Sequence, residues 1–298
     1  MAEKNPFPGE NNTGHYWDDN LRELANPPPG WWMIAFWASI LWVALYATLY
    51  PFWPMASSYT KGLLGWTQMQ EYKDGVVQIQ EVRKEFEEQI AKLTPAEIAQ
   101  NPGLKEYTVA SAKVLFGDYC AACHASGGAG NVGYPVLTDD DWLYGGSMVK
   151  IQETIVGGRQ GAMTAHEKIL KPEEVDQLAN FVYAMYEGGP AAGGDAGWAL
   201  YKEKGCTACH GEKGNGVLAE LPTGDVVTVG AANLIDKVWR FEPAGVESAK
   251  HTILYGVNQA DQPESRNAVM PAFGTNKKLD EQAIKKLVVY VHQLGGGM

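Results

Sequence analysis

Cysteine, histidine and basic residues are scarce in this chain of 298 residues. It has four cysteines and six histidines, and its 24 lysines and arginines stand against 35 aspartates and glutamates, so the formal charge is −11. Nucleic-acid binding depends on basic patches that neutralise phosphates, and the acidic balance argues against it. Charged residues make up 20% and aromatic residues 11% of the chain, a composition that excludes a disordered protein.

Long hydrophobic runs are also scarce, because the chain has only one. No charged residue occurs from Leu24 to Thr60, and residues 31–53 are almost continuously apolar. A helix of about 20 apolar residues crosses the hydrocarbon core of a membrane, which is about 30 Å thick. Tryptophan and tyrosine stand at both ends of the run, as expected at membrane interfaces. We therefore predict one transmembrane helix over residues 31–53, and we exclude a polytopic membrane protein.

The segment before this run argues against a cleaved signal peptide. Residues 1–30 are mostly polar and acidic, whereas a signal peptide begins with a short basic region. We interpret the run as an uncleaved anchor that follows an N-terminal segment, 1–30. The alternative, a buried core helix, is disfavoured because such helices rarely run this long without a charge.

All four cysteines belong to two copies of one motif, C-x-x-C-H, at residues 120–124 and 206–210. This is the attachment pattern of c-type haem: the two thiols form thioethers with the porphyrin, and the histidine ligates the iron. A zinc site would need further cysteine or histidine ligands, and a redox dithiol would not need a histidine after both copies. We predict two covalently bound haems c, held by Cys120, Cys123, His124, Cys206, Cys209 and His210.

The C-terminal two thirds of the chain is an internal repeat. Leu137, Asp139 and Trp142 recur 97 positions later as Leu234, Asp236 and Trp239. Each copy contains a helix, the haem motif, a loop, a second helix, a methionine loop and a final helix, the all-α pattern of a small cytochrome c domain. We predict tandem cytochrome c domains over residues 104–190 and 191–298. The first and last helices of each domain should cross at an aromatic residue, Phe181 and Tyr290.

Two methionines are placed to supply the second axial ligands of the irons. Met163 lies 39 residues after His124, and Met270 lies 60 residues after His210, each in the loop before a final helix. Methionine is a common axial ligand of cytochromes c, so we predict that both ligate iron. The nearest competitor is His166. The simplest pairing gives each haem the methionine of its own domain, although exchange between two touching domains is geometrically allowed.

Residues 54–103 form a linker and stem between the span and the haem domains. Apolar residues at spacings of three and four predict an amphipathic helix within residues 66–93: Val76, Ile79, Val82, Phe86, Ile90 and Leu93. Thr94 and Glu97 predict a capping box that opens a second, short helix. An isolated helix is marginal in water, so we expect the apolar stripe to pack on the haem domains or on a partner.

Charge is distributed unevenly over the two predicted haem domains. Residues 104–189 contain eleven acidic and six basic residues, whereas residues 195–298 contain twelve and eleven. An acidic surface attracts a basic redox partner. The distribution favours the first haem domain, or the acidic stem, as the place where an electron donor docks.

These features together resemble a known family, the membrane-anchored dihaem subunit of cbb3-type cytochrome c oxidases (CcoP or FixP type). The N-terminal segment is the most discriminating part, with GHYWD at residues 14–18, ELANP at 23–27 and PGWW at 29–32. The exit from the span at Tyr50-Pro51 and the GWT sequence at residues 65–67 match as well. The resemblance covers nearly the whole chain.

The resemblance implies a function in respiration. Such subunits take single electrons from a soluble or membrane-bound cytochrome c and pass them to a monohaem c subunit. The electrons then reach a haem–copper subunit that reduces oxygen and pumps protons. Covalent haem c is attached on the outer side of the membrane. This places the haem domains in the bacterial periplasm and residues 1–30 in the cytoplasm of a single-pass inner-membrane protein.

We therefore predict an electron-transfer subunit that is not an enzyme by itself, because two six-coordinate haems leave no open iron position. One alternative is a membrane-anchored dihaem peroxidase, which would be favoured if Met163 did not ligate. The other is the cytochrome subunit of a periplasmic dehydrogenase, against which residues 15–32 argue.

Overall fold

The chain divides into two units, residues 1–82 and 83–298. The computed structural model describes residues 9–17, 21–189, 191–222, 226–241 and 243–295. In the first unit, an antiparallel hairpin precedes the apolar run. It consists of β1 (Asn12–Trp17) and β2 (Leu21–Leu24), and the carboxylate of Glu10 binds the guanidinium of Arg22 beside it. No pattern in the sequence predicts this hairpin.

The apolar run forms the helix α1 (Gly30–Leu49), none of whose side chains is buried. Among the described residues it is the one helix long and apolar enough to cross a membrane. The predicted span, 31–53, is helical only as far as Leu49, because the backbone is extended at Tyr50. Pro51 explains this end, since proline lacks an N–H and disfavours helical backbone in the residue before it.

The stem contains the two predicted helices, α2 (Gln68–Lys92) and α3 (Pro95–Gln100). The capping box is confirmed: the Thr94 hydroxyl accepts from the Glu97 N–H at 3.3 Å, and the Glu97 carboxylate accepts from the Thr94 N–H at 2.8 Å. These contacts satisfy backbone donors that a helix start would otherwise leave unpaired.

Further helices and short strands follow in the second unit. The helices are α4 (Pro102–Tyr119), α5 (Ala121–His124), α6 (Met148–Gly157), α7 (Pro172–Gly188), α8 (Gly194–Glu203), α9 (Thr207–His210), α10 (Val246–Tyr255) and α11 (Glu281–His292). The strands are β3 (Arg159–Gln160), β4 (Val217–Glu220), β5 (Val226–Thr228) and β6 (Val269–Met270). Pro172 opens α7, and the Asp280 carboxylate caps α11 by accepting from the Ala283 N–H at 2.8 Å, both as predicted.

Two hydrophobic cores hold these helices together. The α4–α11 core contains Ala112, Phe116, Ile151, Ile155, Leu279, Ile284, Leu287, Val288, Tyr290 and Val291. The α7–α10 core contains Leu170, Val175, Leu178, Ala179, Phe181, Met185, Tyr201, Ala249 and Ile253. The last helix of the second repeat thus packs with α4 and α6 of the first, and the last helix of the first repeat packs with α8 and α10 of the second.

Each core therefore takes helices from both predicted domains, 104–190 and 191–298. A short connection explains why α7 of the first repeat packs with α8 of the second. Since α7 ends at Gly188 and α8 begins at Gly194, the two helices are joined by few residues and pack as neighbours. The remaining space beside α4 and α6 is then filled by α11.

Phe181 and Tyr290 lie at helix crossings, as predicted, but the crossing helices come from different repeats. The Tyr290 ring packs on Phe116 of α4, with ring centroids 5.2 Å apart. Phe181 packs on α8, where a Cβ at Gly193 or Gly197 would lie 2.1 or 2.5 Å from its ring. Glycine is required at this crossing because the aromatic ring occupies the place of a side chain.

The C-terminal part of the stem, from residue 83 onwards, belongs to the second unit and packs within it. Ile90 and Ile98 are fully buried against Leu104 of α4 and Val289 of α11. The Glu87 carboxylate accepts from Lys286 Nζ at 2.6 Å, and Lys285 Nζ donates to the carbonyl oxygen of Ala91 at 3.0 Å.

The predicted apolar stripe of the stem is buried only in this part. Phe86 and Leu93 pack beside the buried Ile90, whereas Ile79 and Val82 are 51% and 78% exposed. Packing on the haem domains is thus seen for the C-terminal part of the stripe, and packing of its N-terminal part on a partner stays a prediction.

Candidate haem sites

Both haem motifs occupy a single helical turn. The His124 N–H donates to the Cys120 carbonyl oxygen at 2.9 Å, and the His210 N–H donates to the Cys206 carbonyl oxygen at 3.0 Å. Residues three and four apart lie on the same side of a helical turn. Each turn therefore directs two thiols and an imidazole to one side, as covalent attachment and ligation of one haem require.

The two histidines are oriented in the same way. Nδ1 of His124 donates to the carbonyl oxygen of Pro135 at 3.0 Å, and Nδ1 of His210 donates to that of Ala232 at 2.8 Å. A carbonyl oxygen only accepts, so the hydrogen is on Nδ1 and Nε2 keeps the lone pair that ligates a metal. Burial lowers the pKa of both imidazoles, which keeps them neutral. These rings fit the role of axial ligands to haem iron.

None of the four cysteines forms a disulfide. Burial raises the pKa of Cys120 to about 11, and it also raises the pKa of Cys206. Both side chains pack at the edge of a hydrophobic core, Cys120 on the α4–α11 core and Cys206 on the α7–α10 core. A haem attached to either motif would therefore lie against the apolar side chains of that core.

Each predicted methionine ligand lies with the haem motif of the other repeat. Met270 packs on the α4–α11 core together with Cys120, and Met163 packs on the α7–α10 core together with Cys206. The simplest pairing predicts that each methionine lies beside the motif of its own repeat. The structure places each methionine on the core of the opposite motif instead.

Two glycines hold the methionine loops in equivalent ways. Gly158 ends α6 and Gly256 ends α10, both with positive φ. A Cβ at Gly158 would lie 2.5 Å from the carbonyl oxygen of Met270, and a Cβ at Gly256 would lie 2.3 Å from that of Met163. The absence of a side chain at each helix end therefore lets the methionine backbone approach closely.

Further backbone bonds repeat the same arrangement. The Phe273 N–H donates to the Ile155 carbonyl oxygen at 3.0 Å, and the His166 N–H donates to the Ile253 carbonyl oxygen at 3.0 Å. Phe273 and His166 each follow their methionine by three residues. His166, the competing ligand, has a buried Nδ1 without a hydrogen-bond partner in the part of the chain that the structure describes.

Comparison with known protein families shows which family the chain belongs to. A model described as the N-terminal domain of cytochrome oxidase-cbb3, FixP, matches residues 9–57. A model described as cytochrome c oxidase, cbb3-type, subunit III, matches residues 108–182 and 192–291. The chain belongs to the family of cbb3-type cytochrome c oxidase subunit III, the FixP or CcoP subunits.

Similar members of this family match along nearly their whole length. FixP of Azorhizobium caulinodans is 37% identical, over 97% of this chain and 94% of the relative. CcoP of Azospirillum brasilense is 37% identical over 100% and 99%, and FixP of Bradyrhizobium diazoefficiens is 36% identical over 97% and 96%. The family resemblance seen in the sequence is confirmed.

Membership of the FixP/CcoP family gives the main features of function. The chain is a membrane-anchored cytochrome c subunit of a cbb3-type oxidase, with haem c as its cofactor and other oxidase subunits as its partners. It is an electron-transfer component of an oxidoreductase complex rather than an enzyme by itself.

Sequence reasoning missed a carboxyl pair that joins the two repeats. The Asp236 side chain is hydrogen-bonded to Asp141, and Asn233 Nδ2 donates to Asp141 Oδ1 at 3.1 Å. Burial, followed by the charge of Asp141, raises the pKa of Asp236 to about 7. The recurrence of Asp139 as Asp236 marked the position, but no pattern showed that Asp141 would meet it.

Proposed function

We propose that this FixP/CcoP-type chain binds two haems c with crossed ligands. His124 and Met270 would ligate the haem attached to Cys120 and Cys123, and His210 and Met163 would ligate the other. The observation that carries this pairing is the position of each methionine on the core of the opposite motif.

Each protein ligand has a distinct part in such a site. A bound haem c supplies a one-electron Fe(III)/Fe(II) couple, and a methionine ligand raises its potential. The carbonyl oxygens of Pro135 and Ala232 hold the histidine rings in place. With histidine and methionine both bound, neither iron has a free position for a substrate, which suits electron transfer.

The role in the complex follows from the family and the anchor. We infer that α1 crosses the bacterial inner membrane once, with the N-terminal segment in the cytoplasm and the haem domains in the periplasm. Electrons would pass from a soluble or membrane-bound cytochrome c through both haems to the monohaem c subunit. They would then reach the haem–copper subunit that reduces oxygen.

The exchange of segments also changes where the donor should dock. Residues 159–266, which form the α7–α10 core, carry fifteen acidic and ten basic residues. Residues 102–158 and 267–295, which form the α4–α11 core, together carry eight and seven. The acidic excess therefore lies in the segment that carries the haem motif of Cys206. We infer that a basic donor docks on this segment rather than on the first domain.

A chain with one haem tests the crossed ligands. Changing Cys206 and Cys209 to alanine leaves only the haem at Cys120. In that background, Met270→Leu should abolish the absorption band of methionine-ligated ferric haem, lower the potential and let the ferrous haem bind carbon monoxide. Met163→Leu is the matched control and should leave all three properties unchanged. The reverse result would establish the uncrossed pairing.

Electron transfer is tested on the complete protein in detergent. Two low-spin haems that are reduced by a cytochrome c and do not bind carbon monoxide support the proposed role. A five-coordinate haem that binds carbon monoxide would favour the peroxidase alternative. Raising the salt concentration should slow reduction by a basic donor, and a rate independent of salt would contradict electrostatic docking.

A further inference from the structure

The two methionine loops are joined to each other by a small set of backbone pairs. Arg159 of β3 pairs with Met270 of β6 in an antiparallel manner. Met163 pairs with Val257, whose N–H donates to the Met163 carbonyl oxygen at 3.0 Å while its own carbonyl accepts from the Met163 N–H at 3.2 Å. The loops are also bonded directly, because the Gly161 N–H donates to the Ala268 carbonyl oxygen at 3.1 Å.

One side chain, Asn258, bonds both loops. Its Nδ2 donates to the carbonyl oxygens of Gly161 and Ala268, the latter at 3.0 Å, and its Oδ1 accepts from the Ala268 N–H at 3.1 Å. Gly161 and Ala268 each precede a methionine, Met163 or Met270, by two residues. The same amide therefore holds the same point of each loop.

The backbone of Asn258 is suited to this position. Its φ is +52°, in the left-handed region that asparagine enters more readily than most residues. Its N–H donates to the Arg266 carbonyl oxygen at 2.8 Å. With backbone and side chain both bonded, Asn258 has little freedom, so it can fix the spacing between the loops.

We propose that Asn258 is a shared positioning residue for both methionine ligands. It contacts neither haem motif itself in these bonds and acts through the two loops. The inference rests on the proposed methionine ligation and adds to it that the two iron–methionine bonds are strengthened by one amide. Loss of that amide should weaken methionine binding at both haems together.

Asn258→Gly tests this in the complete dihaem chain. Glycine keeps the left-handed backbone free of strain and removes only the amide. We expect the methionine–iron(III) absorption to weaken at both haems, both reduction potentials to fall, and cyanide to bind both ferric haems about 5- to 10-fold more tightly, given the usual strength of one or two hydrogen bonds. Asn258→Asp, which retains the acceptor and loses the donor, should change both haems in the same direction.

Three comparison variants show whether a change at both haems is due to loss of the Asn258 amide. Lys277→Gly replaces another residue with φ near +53° whose side chain is exposed, and it should leave both haems as in the native chain. Gly158→Ala should disturb only the haem ligated by Met270, and Gly256→Ala only the haem ligated by Met163, because each added Cβ meets one methionine carbonyl.

The results separate the inference from the ligand assignment. If the native chain shows two methionine-ligated haems and the two Asn258 variants leave either haem unchanged, the shared positioning role is wrong. If the native chain itself shows no methionine ligation, the proposed ligands fail, and the inference fails with them.

Discussion

Gly158 lies at the end of α6, next to the backbone of the Met270 loop. Its backbone has φ 69° and ψ −179°, a combination that is essentially restricted to glycine. The end of α6 and the Met270 carbonyl leave no space for a side chain. Gly256 has nearly the same conformation at the end of α10 beside Met163.

Gly158→Ala should therefore destabilise the chain by about 1–3 kcal/mol, the usual cost of a strained backbone at one residue. Thermal unfolding of the holoprotein measures this, with Gly157→Ala as the control, because an added Cβ there meets nothing within 4 Å. Equal melting temperatures for the two variants would show that the Met270 loop yields without cost.

Asp236 is a second residue to consider, because its environment makes the stability of the fold depend on pH. It lies beside Asp141, with Asp139 and Arg240 also acting on this group of charges. Burial and the charge of Asp141 raise the pKa of its carboxyl to about 7 in the folded state, from the ordinary 3.8 of aspartate. The folded chain therefore binds more protons than the unfolded chain between these pH values, so stability decreases as the pH rises through this window.

Asp236→Asn removes this ionisation and should reduce the pH dependence. We expect the melting temperature of the variant to fall less than that of the native chain between about pH 5 and pH 8. Scanning calorimetry at both pH values checks the sign, and identical differences for the two proteins would contradict the raised pKa.

At the scale of elements, α2 is attached to α11 by a partly buried ion pair and a small apolar cluster. Glu87 accepts from Lys286 Nζ at 2.6 Å and from the Tyr107 hydroxyl at 2.5 Å. The Lys286 side chain is only 10% exposed, so removing one partner leaves a poorly solvated charge.

Lys286→Met should cost about 1–3 kcal/mol and loosen the C-terminal half of α2. Chemical unfolding measures the energy, and limited proteolysis reports the loosening. Lys92→Met, which changes an exposed lysine at the end of α2, is the control. A double-mutant cycle with Glu87→Gln that gives no coupling would show that the ion pair does not hold the helix.

At the scale of the whole molecule, the order of packing differs from the order of the repeats. Residues 159–266 run continuously through the Met163 loop, α7, α8, the second haem motif and α10, and these form the α7–α10 core. The α4–α11 core is assembled from the chain before and after this segment. The segment that forms the α7–α10 core is thus inserted between the two parts of the chain that form the α4–α11 core.

Fragments distinguish this arrangement from one in which each repeat folds by itself. Residues 159–266, produced with haem attachment, should fold and give one low-spin, methionine-ligated haem. A chain ending at residue 190 should fail to give one at Cys120, because it lacks Met270 and the eight buried residues of α11. A methionine-ligated haem in the chain that ends at residue 190, seen by its absorption spectrum, would contradict the packing.

Most of the local structure could be predicted from the sequence because it depends on neighbouring residues. The capping box at Thr94, the cap at Asp280, the first position of α7 at Pro172 and the two haem motifs all follow from short-range hydrogen bonding or covalent chemistry. The predicted span, 31–53, also includes residues beyond the end of α1 at Leu49, where Pro51 stops the helix.

The sequence by itself determined the helical elements, the single apolar helix, the two haem attachment motifs and the candidates for methionine ligation. Only the tertiary structure decided which methionine lies with which motif, and it brought Asp141 to Asp236 and Asn258 to both loops. The physical reason is that two similar repeats offer nearly equivalent surfaces for the final helices. Periodicity and spacing are the same for both pairings, and the choice depends on the short connection before α8 and on contacts between residues about 100 positions apart, such as Asn258 and Gly161.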